Sequence, residues 1–210
     1  MRFSNKYSLC KYLRLENLGE PTIKEIKPSR KSMKETEVKI LNVEKNKIVN
    51  LLFNLKTKKI FDDEISTIFF DFTDGRIFNA KNLLRLRKEG PKSTLTYKKI
   101  TTTESIKEAQ EYEVEVSNLQ TMSIILESLG LKETRFLQKH RTSYKLENAR
   151  FYIDTYDGVL DYIPTLLEIE SDSTDSIYKY AQILGFSQAD CLPWSTEQVI
   201  SYYSKEKKHS

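Results

Sequence analysis

Polar and apolar residues alternate in several stretches of the chain, and this alternation predicts short strands with one polar face. In the stretch 34–40, Glu35, Glu37 and Lys39 would share one face of a strand. Further strands are predicted over residues 60–72, 83–87, 94–98, 111–116, 136–146, 151–154 and 166–170. The stretch 60–72 ends at a turn signal, Asp71 to Arg76.

Apolar residues at helical spacing separate these strands. They predict amphipathic helices over about 43–57, 119–129 and 177–184. Ser195 begins a last short helix, and Gln198 completes a capping-box pattern there. Strands dominate and follow one another at hairpin spacing, so the predicted fold class is α+β with an antiparallel sheet.

The chain has 210 residues, which suits one domain with an appendage. Residues 1–31 lack clean periodicity and are predicted to be an N-terminal appendage, with one short helix near Tyr7–Leu15. The domain itself is placed at 32–206. The chain is 30% charged yet carries a net charge of only +4, which argues against broad nucleic-acid affinity. Any electrostatic function must therefore come from local arrangement.

Cysteine and histidine are too scarce to suggest a metal site of their own. Cys10 and Cys191 lack metal-type spacing and fit a reducing compartment, and His140 and His209 are the only histidines. No apolar run approaches membrane-spanning length, and the basic N-terminus lacks the apolar core of a secretory signal. A cytoplasmic location is expected.

Charged residues on the predicted polar faces come in i, i+2 pairs that are segregated by sign. The bases are Lys39, Arg85, Arg87, Lys98, Lys139 and Arg141. The acids are Glu35, Glu37, Glu111, Glu113, Asp154, Glu168 and Glu170. Turning these faces inward is costly unless the charges are paired or bind ions. Arginine and lysine suit phosphate oxygens, and Mg²⁺ or Mn²⁺ suits carboxylates, so the implied ligand is a chain of phosphates in a tunnel.

Each pair alone has a plainer interpretation. Glu168 and Glu170 are typical of a solvated strand, and Arg85 and Arg87 of a surface or nucleic-acid patch. The acids of 111–115 could simply protect an edge strand. The coincidence of all these pairs in one chain favours a shared site. No Gly-rich phosphate loop, zinc spacing or Ser/His/Asp arrangement offers a competing one.

These residues resemble the CYTH superfamily, the triphosphate tunnel metalloenzymes, over about residues 33–186. That family contains class IV adenylyl cyclases, thiamine triphosphatases and inorganic triphosphatases. Its E-x-E-x-K signature is matched by Glu35, Glu37 and Lys39, and its paired arginines by Arg85 and Arg87. The later charged blocks match in order at Lys98, Lys139, Arg141, Asp154, Glu168 and Glu170.

The resemblance implies an eight-stranded antiparallel β-barrel that forms a tunnel, flanked by helices. It implies Mg²⁺ or Mn²⁺ bound by Glu35, Glu37, Asp154, Glu168 and Glu170. It also implies triphosphate bound by Lys39, Arg85, Arg87, Lys98, Lys139 and Arg141. Glu37, Lys39 and Glu113 are the candidate catalytic residues, and Glu111 is a further tunnel residue. The loop 157–164 is longer than in the family and contains Pro164, so substrate choice does not carry over.

The expected activity is a metal-dependent triphosphatase acting on tripolyphosphate or on a nucleoside or other organic triphosphate. A class IV-type adenylyl cyclase and a non-catalytic triphosphate-binding protein are the alternatives. A small-molecule triphosphate is the expected partner, with no nucleic acid and no membrane. The oligomeric state is open, and a homodimer is the working guess.

Overall fold

The computed structural model describes residues 36–103 and 106–209, and this part of the chain forms eight strands and five α-helices. The strands are β1 (Thr36–Ile40), β2 (Lys58–Phe72), β3 (Asn82–Glu89), β4 (Lys92–Thr103), β5 (Ile106–Glu115), β6 (Leu131–Leu146), β7 (Ala149–Tyr156) and β8 (Leu166–Ser171). The helices are α1 (Lys45–Asn54), α2 (Arg76–Asn79), α3 (Leu119–Ser128), α4 (Thr174–Ile183) and α5 (Thr196–His209).

All eight strands belong to one antiparallel sheet with the order β1-β8-β7-β6-β2-β3-β4-β5. The sheet curls into a half-barrel, and no ladder joins β1 to β5 within the described residues. Two register shifts, at Lys59/Phe61 and Phe69/Phe70, interrupt the central β2–β6 pairing. Bulges of this kind bend a strand and increase its twist. The α+β fold class with eight antiparallel strands is thus confirmed.

The convex face of the β1-β8-β7-β6 half carries the largest apolar core. Phe151, Leu167 and Ile169 of the strands are fully buried there, against Ile48 and Leu52 of α1 and residues of α4. Each such side chain stabilises the fold by about 1.5–3 kcal/mol. Because side chains alternate between faces, burying these residues directs their charged neighbours to the concave face.

One end of the concave face is apolar. Leu137 and Tyr156 pack there against Ile163 of the 157–164 loop and against Val199 and Tyr203 of α5. This loop includes a short 3-10 turn at Gly158–Leu160. The loop and α5 therefore cover this end, and the charged part of the face lies beyond it.

Helix ends follow local side-chain chemistry. At α5, Ser195 Oγ accepts from the Gln198 amide and Gln198 Oε1 accepts from the Ser195 amide, as the capping-box pattern predicted. Helix α5 runs on to His209 and is longer than expected. The unpredicted α2 begins where the Asp71 carboxylate accepts from the amides of Ile77 and Phe78.

The expected N-terminal features lie outside the described residues. These are the helix near Tyr7–Leu15, the boundary at residues 31/32 and Glu35. No helix in the described part of the chain is long and apolar enough to cross a membrane.

Candidate functional site

Strand register places every described residue of the predicted site on the concave face. Glu37 lies opposite Glu170 and Lys39 opposite Glu168 in the β1–β8 ladder, while Arg141 lies opposite Asp154 in the β6–β7 ladder. The same alternation continues across the other half of the sheet through Arg85, Arg87, Lys98, Glu111 and Glu113. Paired residues share a face, so one surface collects these charges from seven of the eight strands.

Lys39 holds two carboxylates together. Its Nζ lies 3.1 Å from Glu37 Oε1 and 3.1 Å from Glu168 Oε2, and its side chain is only 5% exposed. Burial favours the neutral amine, but the charges of Glu168 and Glu37 outweigh it and raise the pKa of Lys39. Lys39 is therefore a permanent cation between the two acids.

Asp154 is enclosed by two cations. Arg141 donates from Nε to Asp154 Oδ1 and from Nη2 to Oδ2, both at 2.6 Å, and Lys139 Nζ lies 2.5 Å from Oδ2. Burial alone would raise the pKa of Asp154, but Arg141 and Lys139 hold it well below its usual range. Both carboxylate oxygens of Asp154 are thus engaged by protein groups. Its role as a metal ligand, implied by the resemblance, stays a prediction.

Arg141 also links Asp154 to Glu168, because its Nη2 lies 3.5 Å from Glu168 Oε2. Burial opposes ionisation of Glu168, yet Lys39 and Arg141 lower its pKa to about 2. Burial and the charge of Arg141 lower the pKa of Lys139 to about 8, against the opposing charge of Asp154. One continuous chain of ion pairs thus joins six residues: Glu37, Lys39, Glu168, Arg141, Asp154 and Lys139.

A second group of charges lies on β3, β4 and β5. Lys98 Nζ is 2.7 Å from Glu111 Oε1, and Arg85 Nη2 is 3.8 Å from Glu111 Oε2. Glu113 accepts from Thr96 Oγ1 at 3.0 Å, and its other oxygen is 3.9 Å from Lys92. Among the described residues, Glu113 forms no hydrogen bond or ion pair with Lys39 or Arg141, so this candidate catalytic residue lies with Glu111, apart from the acids of β1, β7 and β8.

Arg87 is the exception on this face. It forms no ion pair or side-chain hydrogen bond with any described residue, and the Nε atoms of Arg85 and Arg87 are both buried without a partner. Burial, reinforced by the charges of Arg85 and Arg141, lowers the pKa of Arg87 to about 10. The charges of Glu89 and Glu168 oppose this shift without forming an ion pair with Arg87. A cation that lies beside like charges and is hydrogen-bonded to no carboxylate suits an incoming anion.

Two residues of the site were not predicted. Tyr152 donates its hydroxyl to Glu170 Oε2 at 2.8 Å, and Arg150 Nη1 lies 3.1 Å from Glu170 Oε1. Both residues alternate with Asp154 along β7, so the period that selected Asp154 also marks them.

The chemistry of the acids fits a hard divalent cation in part. Glu37 and Glu170 are directly opposed, with side chains 38% and 15% exposed, and both face the cleft. Within the described residues no group of three or more His, Cys, Asp or Glu is already arranged to hold a metal. Mg²⁺ commonly uses one or two carboxylates and completes its shell with water and substrate phosphate, so the chemistry of this pair fits Mg²⁺.

The fold and the site together define an α+β protein whose curled antiparallel sheet presents an ionic concave face. The chain belongs to the CYTH domain family, whose model matches residues 33–190. The family resemblance read from the sequence is therefore confirmed.

Relatives with this fold include archaeal and bacterial proteins. A Methanocaldococcus jannaschii protein that carries the provisional name adenylate cyclase, MJ0240, is 31% identical over 143 residues, which are 68% of this chain and 79% of that protein. The structure of PH1012 from Pyrococcus horikoshii OT3 is 26% identical with a TM-score of 0.65, covering 79% of this chain and 98% of that one. The structure of a Vibrio parahaemolyticus protein with the same provisional name as MJ0240 is 18% identical with a TM-score of 0.66, covering 81% of this chain and 99% of that one. At this identity the likeness supports the fold alone.

Proposed function

We propose that this protein is a divalent-metal-dependent triphosphatase that hydrolyses tripolyphosphate or a nucleoside or other organic triphosphate. The unpaired state of Arg87 carries the proposal. Its guanidinium lies on the same face as Arg85, Lys98, Lys139 and Arg141. An elongated anion with several oxygens would meet Arg87 and Arg85 while the ion pairs on either side stay in place.

The chain's own residues would bind and orient the substrate. Arg85 and Arg87 would bind phosphate oxygens through their guanidinium groups, with Lys98 beside them. Lys39, Lys139 and Arg141 would hold the other end of the phosphate chain. Holding several oxygens at once fixes the reacting phosphorus and stabilises the charge that develops in the transition state.

Glu37 and Glu170 would hold the divalent ion, with Glu168 and, from outside the described residues, Glu35 as further candidates. Bound Mg²⁺ or Mn²⁺ supplies neutralisation of phosphate charge during transfer. Glu113 is the carboxylate proposed to orient the attacking water, because Thr96 fixes one of its oxygens at 3.0 Å.

An adenylyl cyclase is the second candidate, and the name of the relative that is 31% identical favours it. In that reaction the ribose 3′-hydroxyl attacks the α-phosphate and pyrophosphate leaves. The same cationic residues would bind the triphosphate, so the two reactions differ in which phosphate lies beside the metal.

The deciding experiment is a product assay on purified protein. It offers ATP and tripolyphosphate separately, each with Mg²⁺, with Mn²⁺ and with chelator. Orthophosphate release that chelator abolishes is expected, and Glu113→Gln should lower kcat with little change in KM. Cyclic AMP with pyrophosphate would favour the cyclase instead, and binding without either product would contradict both enzymes.

A further inference from the structure

Tyr152 contacts one group from each side of the proposed site. Its hydroxyl donates to Glu170 Oε2 at 2.8 Å, and its ring lies 4.2 Å below the Arg141 guanidinium carbon, measured to the ring centroid. Glu170 is a proposed metal ligand and Arg141 a proposed triphosphate-binding residue. One side chain thus spans the distance between them.

The hydroxyl contact is the better-shielded of the two that orient Glu170. Arg150 also reaches this carboxylate, at 3.1 Å, but its side chain is 40% exposed, and exposed ion pairs are weak. Tyr152 is half-buried, and its hydroxyl lies 2.8 Å from Glu170 Oε2. The phenol is therefore a hydrogen-bond donor held against Glu170 within the sheet face.

The Tyr152 ring contacts the flat face of the Arg141 guanidinium, whereas the ion pairs of Arg141 lie at its edge. The edge of the Arg141 guanidinium is occupied by Asp154, at 2.6 Å, and by Glu168, at 3.5 Å. The Tyr152 ring covers one face of the guanidinium, which is an attractive cation–π arrangement. Edge contacts and face contact together fix both the position and the tilt of Arg141.

We infer that Tyr152 is a positioning residue that orients Glu170 towards the metal and Arg141 towards the triphosphate. This inference rests on the proposed function. Its two contacts are chemically separable, because phenylalanine keeps the ring and loses the hydroxyl, whereas leucine loses both. The two roles therefore predict different losses in two variants of one position.

The test compares Tyr152→Phe and Tyr152→Leu with Tyr180→Phe. Tyr180 is a matched control, since its hydroxyl also donates to a glutamate, Glu147, at 3.2 Å, and it packs against Phe151 on the convex face. Mn²⁺ affinity is measured by electron paramagnetic resonance of free Mn²⁺, and tripolyphosphate affinity by calorimetry in chelator. Values of kcat and KM are recorded alongside.

Tyr152→Phe is expected to weaken Mn²⁺ binding about tenfold, as loss of a residue that orients a metal ligand commonly does, and to leave tripolyphosphate affinity within about twofold. Tyr152→Leu is expected to weaken both, and Tyr180→Phe neither. Unchanged Mn²⁺ affinity in Tyr152→Phe would overturn the inference, as would equal losses of both affinities in the Phe and Leu variants. If the Leu variant does not fold, the Phe variant still decides.

Failure of the proposed function would look different. Wild-type protein that binds no Mn²⁺ and turns over no triphosphate would overturn that proposal before any variant is compared. Normal wild-type binding and turnover with an unaffected Tyr152→Phe would overturn only the role of Tyr152.

Discussion

The two halves of the concave face satisfy their charges differently. In the half formed by β1, β8, β7 and β6, Arg141 makes two short hydrogen bonds to Asp154 and a longer contact to Glu168. In the half formed by β3, β4 and β5, Arg87 pairs with no described residue. Both arginines sit on the same face of one sheet. Their difference separates charges that hold the fold together from charges left for a ligand.

This contrast matters because buried charge without a partner costs stability. Natural sequences keep such unfavourable features mainly where function requires them. Arg141 keeps its carboxylate partners in an empty cleft, whereas Arg87 gains a hydrogen-bonded counter-ion only when an anion binds.

Loss of a proposed metal ligand should have the largest effect. Glu37→Ala and Glu170→Ala are each expected to lower metal-dependent turnover by at least about 100-fold while the protein stays folded, because each removes a carboxylate from a small ligand set. Turnover is measured at saturating Mn²⁺, and folding by circular dichroism. Glu127→Ala, an exposed carboxylate on α3, is the control. Full activity in either variant would remove that residue from the metal site.

Removing the paired arginine should destabilise the fold. Arg141→Met leaves Asp154 buried with Lys139 as its remaining cation, so the free energy of unfolding should fall by roughly 3 kcal/mol. Urea denaturation measures this change. A loss no larger than that of Arg87→Met would mean that the two halves do not differ as the contacts indicate.

Removing the unpaired arginine should weaken ligand binding without destabilising the fold. Arg87→Met removes the cost of burying this cation and its repulsion by Arg85 and Arg141, which together outweigh its attraction to Glu89 and Glu168, so stability should stay the same or rise. Tripolyphosphate affinity should fall about tenfold to 100-fold, because charge-assisted hydrogen bonds contribute roughly 1.5–3 kcal/mol each. Calorimetry in chelator measures the affinity. A destabilised variant with normal affinity would assign Arg87 to the fold instead of the ligand.

Much of the fold was predictable because strands of period two and helices of period 3.6 differ locally in sequence. The polar face shared by Arg85 and Arg87 followed from that alternation, whereas its inward direction was implied by the family resemblance. Cross-strand partners did not follow, since the pairing of Glu37 with Glu170 joins the first strand to the last. Nor could the sequence show that Arg87 is unpaired, because pairing depends on distances between strands.

Local chemistry explains the remaining misses. Helix α2 has four residues and depends on capping by Asp71, which no periodicity reveals. Tyr152 is uncharged, so the pattern of charged pairs does not mark it, although its position on β7 has the same period as Asp154. The full engagement of Asp154 by Arg141 and Lys139 likewise required coordinates.

The smallest effect on stability is expected for a substitution on the convex side of β6, the strand that carries Arg141. His140 contacts Asp62 at 2.9 Å and Glu64 at 3.0 Å. These contacts, above all the one to Asp62, raise the pKa of His140, and the charge of Lys45 opposes the shift. Lys59 also forms an ion pair with Asp62.

A raised pKa in the folded state means that protonated His140 stabilises the fold. That contribution is complete below the unfolded value of about 6.5 and is lost as pH rises through the higher folded value. Thermal melts of wild type and His140→Gln should therefore differ most below pH 6.5 and converge at higher pH. The cluster is exposed to solvent, so the difference should be under about 1 kcal/mol and shrink in salt. A difference that grows with pH would contradict this prediction, because it would show that the neutral imidazole is the stabilising form.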